Sequence, residues 1–194
     1  HRGTPVVVCN RPFPGIEVDT VIVDDEDCGF RATSHLIALG HRRIGCITGP
    51  AGLPISAGRV EGYRRALETV GIPVQEDLVV EGDFRNLGGF EAMNQLLALD
   101  GPPTAVFACN DLMAMGAICA ASKQRLKVPD GVAIVGCDDI ALAAFTNPSL
   151  TTVRLPKREM GATAVRMLTR RIEDESRPAQ ERILPIELVL RDSC

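Results

Sequence analysis

The chain has 194 residues, 45% hydrophobic and 24% charged, which is enough to bury a sizeable core in one large domain or two small ones. Its net charge is −4 and no run of Lys or Arg exceeds two, so these residues carry no electrostatic footprint for nucleic acid. Seven cysteines, an odd number without a CxxC pair, indicate buried thiols in a reducing cytosol, and neither an 18-residue apolar segment nor a signal-peptide pattern points to membrane or export.

In chain order, Thr4–Cys9 predicts a buried strand with Asn10 at its carboxyl end, and Val21–Asp24 a short extended segment. A helix is expected over about Glu26–Leu39, closed by Gly40. Arg43–Thr48 is the next strand, and the Gly- and Pro-rich stretch Gly49–Gly58 reads as a loop before a helix that ends at Gly71. Arg59 then falls in a first helical turn, where the macrodipole disfavours a cation. That raises its standing as a ligand contact, although a solvated Arg would cost only a few tenths of a kcal/mol.

Leu78–Glu81 is a strand, and Phe84 follows its end, where it serves either as core or as an aromatic wall for a ring. A helix follows over Asn86–Leu99. Thr104–Cys109, a helix opening at Asn110 and Asp111, the breaker Val128–Gly131 and the strand Val132–Cys137 make a βαβ unit. Ligands of open parallel sheets sit beyond the carboxyl ends of strands, where Asn110, Asp111, Asp138 and Asp139 fall. Asn110 and Asp111 serve equally well as helix caps. A long connection Ile140–Leu150 leads to TTVRLP, then to a helix from about Lys157 to Ile172 with the apolar stripe Met160, Ala164, Val165, Leu168 and Ile172. The last strand is Ile183–Leu190, in which Pro185 suggests an edge or start position. About seven strands alternating with about five helices give a doubly wound α/β architecture with parallel sheets.

Several chemistries have no support. The sequence lacks GxGxxG opening a βαβ unit, GxxxxGK[ST] and GxSxG, and its three His (His1, His35 and His41) fall away from any matched nucleophile or metal-spaced partner. We therefore expect no enzyme, no cofactor and no metal.

Read together, LIALGHRRIGCITGP, GRVEGYRRALETVGI, TAVFACNDLMAMGAICA, VPDGVAIVGCDDI and NPSLTTVRLPKREMGATAVRMLTRRI, ending in LPIELVLRDS, resemble the effector-binding core of the lactose/galactose-repressor (LacI/GalR) family of bacterial transcription regulators. The resemblance implies a type I periplasmic-binding-protein-like fold of two lobes. Residues 1–24 and 154–181 would form an incomplete N-terminal lobe, and 25–153 with 182–194 the C-terminal effector-binding lobe. It implies a small-molecule effector in the cleft, a homodimer in the cytoplasm, and operator DNA bound only through an N-terminal headpiece with no counterpart here.

The motif matches carry the ligand-holding acid onto Asp138, with Arg59 as a donor fork, Phe84 as a stacking surface, and Asn110 and Asn10 as polar contacts. Cys137 stands where the family often has Tyr, and Leu53 and Ile55 stand where purine-responsive members carry polar side chains, so a sugar fits better than a purine. A periplasmic sugar-binding protein of a transporter is the alternative with the same fold.

Overall fold

The computed structural model describes residues 4–10 and 15–194. The chain divides into two compact units, one built from residues up to Asp24 together with Leu155–Ile186, the other from Asp25–Arg154 with Glu187–Cys194. The fold is α/β with largely parallel sheets. Among the described residues there are nine strands and five α-helices.

In the first unit, β1 (Val7–Cys9), β2 (Asp19–Val23) and β8 (Glu181–Leu184) form a parallel sheet in the order β1-β2-β8, against which α5 (Lys157–Glu173) packs. Asp19 is buried at the start of β2 and accepts two hydrogen bonds from the Arg171 guanidinium, at 2.9 and 3.0 Å, and a third from Gln180 N. Its carboxyl is held below the ordinary range chiefly by that arginine. The pair fixes the end of α5 to the sheet.

The stripe of α5 differs from the predicted one. The helix buries Met160, Thr163 and Met167, while Val165 and Ile172 are 64% and 62% exposed. Spacings of three and four from Met160 lead to Thr163 and Met167, and a polar Thr in that series shifted the apparent apolar face by a residue.

The second unit holds β3 (Ile44–Thr48), β4 (Val79–Glu81), β5 (Ala105–Ala108), β6 (Ala133–Asp138), β7 (Thr151–Arg154) and β9 (Glu187–Val189) in the order β4-β3-β5-β6-β7-β9. All neighbours are parallel except β7 and β9. Every residue of β5 is buried, as expected of a central strand covered on both faces. Helices α1 (Asp25–Ala38) and α2 (Pro54–Thr69) pack on each other, as do α3 (Asn86–Leu97) and α4 (Asp111–Lys123). The step from β3 to β4 runs opposite to the steps from β4 through β5 to β6. Right-handed crossovers therefore lay α2 on one face and α3 with α4 on the other. Tyr63 of α2 is fully buried and donates to Ile44 O at 2.7 Å, joining helix to sheet.

Two predicted boundaries move. Helix α2 begins at Pro54, because proline suits a first helical position, and the predicted loop shrinks accordingly. The predicted final strand is two strands. β8 lies parallel to β2 in the first unit and β9 antiparallel to β7 in the second, with Pro185 and Ile186 between them. Pro185 thus marks a change of sheet, and the return to the second unit comes at Glu187, later than the expected 182.

Helices α1 and α2 meet through two glycines. A Cβ on Gly29 would lie 1.9 Å from Arg59 O, and one on Gly62 would lie 1.9 Å from Glu26 O. The two backbones touch there. This contact sets how deeply α2, and with it Arg59, sits against α1.

A polar cluster at the strand ends of the second unit

The carboxyl ends of β3, β4, β5 and β6 point their connections to one edge of the sheet, and four of the five predicted site residues fall on those connections or beside them. Arg59 is the organising side chain. It is only 2% exposed, so its charge must be answered internally. Its Nε donates to Asp25 Oδ1 at 2.9 Å, and its Nη1 donates to Cys109 O and lies 3.4 Å from Asp138 Oδ1. Three elements are thereby tied to one guanidinium: the start of α1, the end of β5 and the end of β6.

This corrects the sequence-level argument for Arg59. It is the sixth residue of α2 rather than a first-turn residue, so the macrodipole has little bearing on it. Its explanation is the pair of carboxylates.

Asp138 closes β6 with a side chain 27% exposed, so its carboxylate meets Arg59 on one side and solvent on the other. Its φ of 122° and that of Asp139, 50°, lie in the left-handed region, where an L-residue with a side chain is strained. Asp139 supplies the restraint. Its carboxylate receives Arg154 Nε at 2.7 Å and Arg191 Nη2 at 2.6 Å. Burial opposes that charge, but Arg191 and Arg154 hold the Asp139 carboxyl below its usual range.

Asn110 is the N-cap of α4, with its Oδ1 accepting from Met113 N at 2.9 Å and its Nδ2 donating to Phe84 O at 3.0 Å. One side chain therefore both starts α4 and holds the turn after β4. Phe84 has φ 62°, and its ring lies flat over Gly49, where a Cβ would come within 2.0 Å of the ring. Only glycine permits that approach, so the half-buried aromatic is pinned against the β3 end. Asp111 is buried. It accepts from Thr152 Oγ1 and from Ile140 N at 2.8 Å, and burial pushes its carboxyl up to about 6. It braces the connection after β6 and is enclosed by the protein.

Asn10, the fifth predicted residue, follows β1 in the first unit with φ 64°. Its backbone N–H donates to Val21 O at 2.8 Å, and its Oδ1 is buried without a hydrogen-bond partner among the described residues.

Asp25, Gly49, Thr152, Arg154 and Arg191 are components that sequence reasoning missed. Asp25 sits one residue before the predicted start of α1, and nothing local distinguishes it from Glu26 and Asp27. Arg154 and Arg191 meet Asp139 only through β7 and the segment after β9.

The cluster has no nucleophile poised against a base. Thiol contact with Cys109 and burial push the Cys46 thiol well up, and burial followed by contact with Cys28 does the same for Cys137, which leaves both as thiols. Among the described residues no group of three or more His, Cys, Asp or Glu could hold a metal ion. What remains is a part-exposed carboxylate, a pinned aromatic and a helix-capping Asn, suited to holding a ligand that donates hydrogen bonds and offers a flat apolar face.

Residues 33–194 match the family described as periplasmic binding protein-like domain. The HTH-type transcriptional repressor CytR of Escherichia coli (strain K12) is 40% identical over 189 residues, covering 97% of this chain and 55% of the repressor. The HTH-type transcriptional repressor PurR of Yersinia pestis (strain Pestoides F) is 39% identical over 194 residues, covering 100% of this chain and 57% of that protein. Among solved structures, a transcriptional regulator CelR-cellobiose complex superposes with TM-score 0.93 at 37% identity, covering 99% of this chain and 59% of that one. The chain thus spans about half the length of the curated relatives it matches.

Proposed function

The chain belongs to the periplasmic binding protein-like family in the form found in LacI-class transcriptional regulators, and from that premise we propose that it is the effector-binding part of a DNA-binding regulator. Its ligand is a small molecule, and a sugar suits the cluster better than a purine. The relatives carry regulator and repressor names, which favours regulation over transport and over catalysis.

The observation that carries this reading is the Asp25–Arg59–Asp138 chain of ion pairs at the sheet's carboxyl edge, where Arg59 also donates to Cys109 O and the adjacent Asn110 donates to Phe84 O. Asp138 accepts ligand hydroxyls, Phe84 stacks against a ring, and Arg59 holds the Asp138 carboxylate in place. Ligand binding changes the regulator's affinity for operator DNA, with coupling on the order of 1–3 kcal/mol, and DNA contact belongs to a headpiece outside this sequence.

The regulator acts in the cytoplasm as a homodimer. The α3–α4 surface supports a second copy, because Leu87 is 64% exposed and Phe90, Met115 and Cys119 line an open apolar groove beside it. A thermal-shift panel of neutral sugars and nucleosides, followed by operator mobility shift of the whole protein with each stabilising compound, tests the proposal. A compound that stabilises the protein and changes DNA retention supports it. If no compound does both, the effector reading fails.

A further inference from the structure

Asp111 is fully buried, yet the backbone that follows Asp138 converges on it. Its Oδ2 accepts from Ile140 N at 2.8 Å, and its Oδ1 accepts from Thr152 Oγ1 of β7, which is also fully buried. That second bond uses the only hydrogen of the Thr152 hydroxyl. The oxygen therefore meets Asp139 N, 3.4 Å away, as an acceptor. Two consecutive N–H groups after Asp138 thus end on one buried side-chain pair.

This is the stretch whose backbone is strained. Asp138 and Asp139 have φ of 122° and 50°, and such residues persist only where their surroundings over-determine them. Arg154 and Arg191 restrain the Asp139 side chain, whereas Asp111 and Thr152 hold the backbone itself. Strand β6 leaves room for the pair. Gly136 is the register partner of Thr152, and a Cβ there would lie 2.4 Å from Asp111 Oδ1.

Helix α4 does not account for this acid. A carboxylate in a first turn suits the helix dipole, but Asn110 already caps the helix, and burial raises the Asp111 carboxyl, a cost that an amide of the same shape would avoid. An amide offers one acceptor oxygen, and two are used here.

Resting on the effector reading above, we propose that Asp111 and Thr152 are positioning residues for the effector. By holding Asp139 N and Ile140 N they aim the Asp138 carboxylate before a ligand arrives, and neither touches the ligand.

Thr152→Val keeps the shape and removes the hydroxyl, while Thr152→Ser keeps the hydroxyl and removes a methyl. Amide hydrogen exchange is followed by NMR in both variants and the wild type, with the amides of β5 as the check that the sheet is intact. The panel of neutral sugars and nucleosides is titrated calorimetrically into all three. In Thr152→Val the Asp139 and Ile140 amides should exchange at least about tenfold faster, and any compound that the wild type binds should bind at least about tenfold more weakly. Thr152→Ser should stay within about threefold of the wild type in both respects. A folded valine variant that matches the wild type in either respect, or a serine variant as impaired as the valine one, overturns the proposal.

If Thr152→Val does not fold, the wild type decides. Slow exchange of both amides supports the proposal, and exchange at the rate of an open loop overturns it. If no sugar or nucleoside binds the wild type, the effector reading fails by itself, and the amide rates still decide whether the pair holds the backbone after Asp138.

Discussion

Replacing Arg59 with Met removes the buried guanidinium while keeping most of the apolar stem. Three groups lose a partner: the Asp25 carboxylate at 2.9 Å, the Asp138 carboxylate at 3.4 Å, and Cys109 O. Removing one member of a buried ion pair costs about 3–5 kcal/mol. The surviving carboxylates are 18% and 27% exposed and recover some hydration, which places the cost near the lower end, about 3 kcal/mol.

For a chain of 194 residues that corresponds to a drop of about 6–12 °C in melting temperature. The natural reporter is Tyr63, the sole tyrosine in a sequence without tryptophan, which lies fully buried in the same helix as Arg59. Urea unfolding followed by tyrosine emission therefore reads the second unit alone. A loss below about 1 kcal/mol would mean that the guanidinium is effectively solvated, and the claim that it braces the cluster would be refuted.

Three further outcomes follow from the same geometry. Asp111 has its carboxyl raised from 3.8 to about 6 by burial, so the folded state binds its proton more tightly than the unfolded state. Its stabilising contribution is full below pH 4 and is lost as pH rises through 6, by about 3 kcal/mol in all. Asp111→Asn should remove that slope from urea midpoints measured between pH 4 and 7, and parallel curves for the two proteins would contradict the assignment. Gly62→Ala would bring a methyl to 1.9 Å from Glu26 O, so α1 and α2 must separate, and a loss of about 3 kcal/mol in the same assay is expected. Gly49→Ala would place a Cβ 2.0 Å from the half-buried Phe84 ring, which should weaken ligand binding about tenfold while lowering the melting temperature by only a few degrees.

The alternation of elements was readable because the buried strands are continuous apolar runs and the breakers between them are Gly and Pro. Val128–Gly131 is the clearest case. Asp138 was legible for a related reason, since it ends such a run and caps no helix. Arg59 falls in the polar cluster, but its place in the helix does not explain it. Its partners lie 34 and 79 positions away in sequence, and only the α1–α2 crossing and the β6 end bring them together.

Pro185 is the opposite case. ILPIELVL is a sound strand pattern, and nothing local says that its halves pair with β2 and with β7 in different sheets. The left-handed backbones of Phe84, Asp138 and Asp139 were invisible, because none of these residues requires that conformation. The Arg154 and Arg191 ion pairs and the Asn110 bond to Phe84 O hold the segments that adopt it.

The central claim is that Asp138 holds an effector at the end of β6, and calorimetric titration of neutral sugars and nucleosides into the wild-type protein and Asp138→Ala tests it most directly. The account predicts binding by the wild type and a loss of about 10–100-fold in the variant, equivalent to the 1.5–3 kcal/mol typical of hydrogen bonds to a charged group. Equal affinity for the two proteins would contradict it.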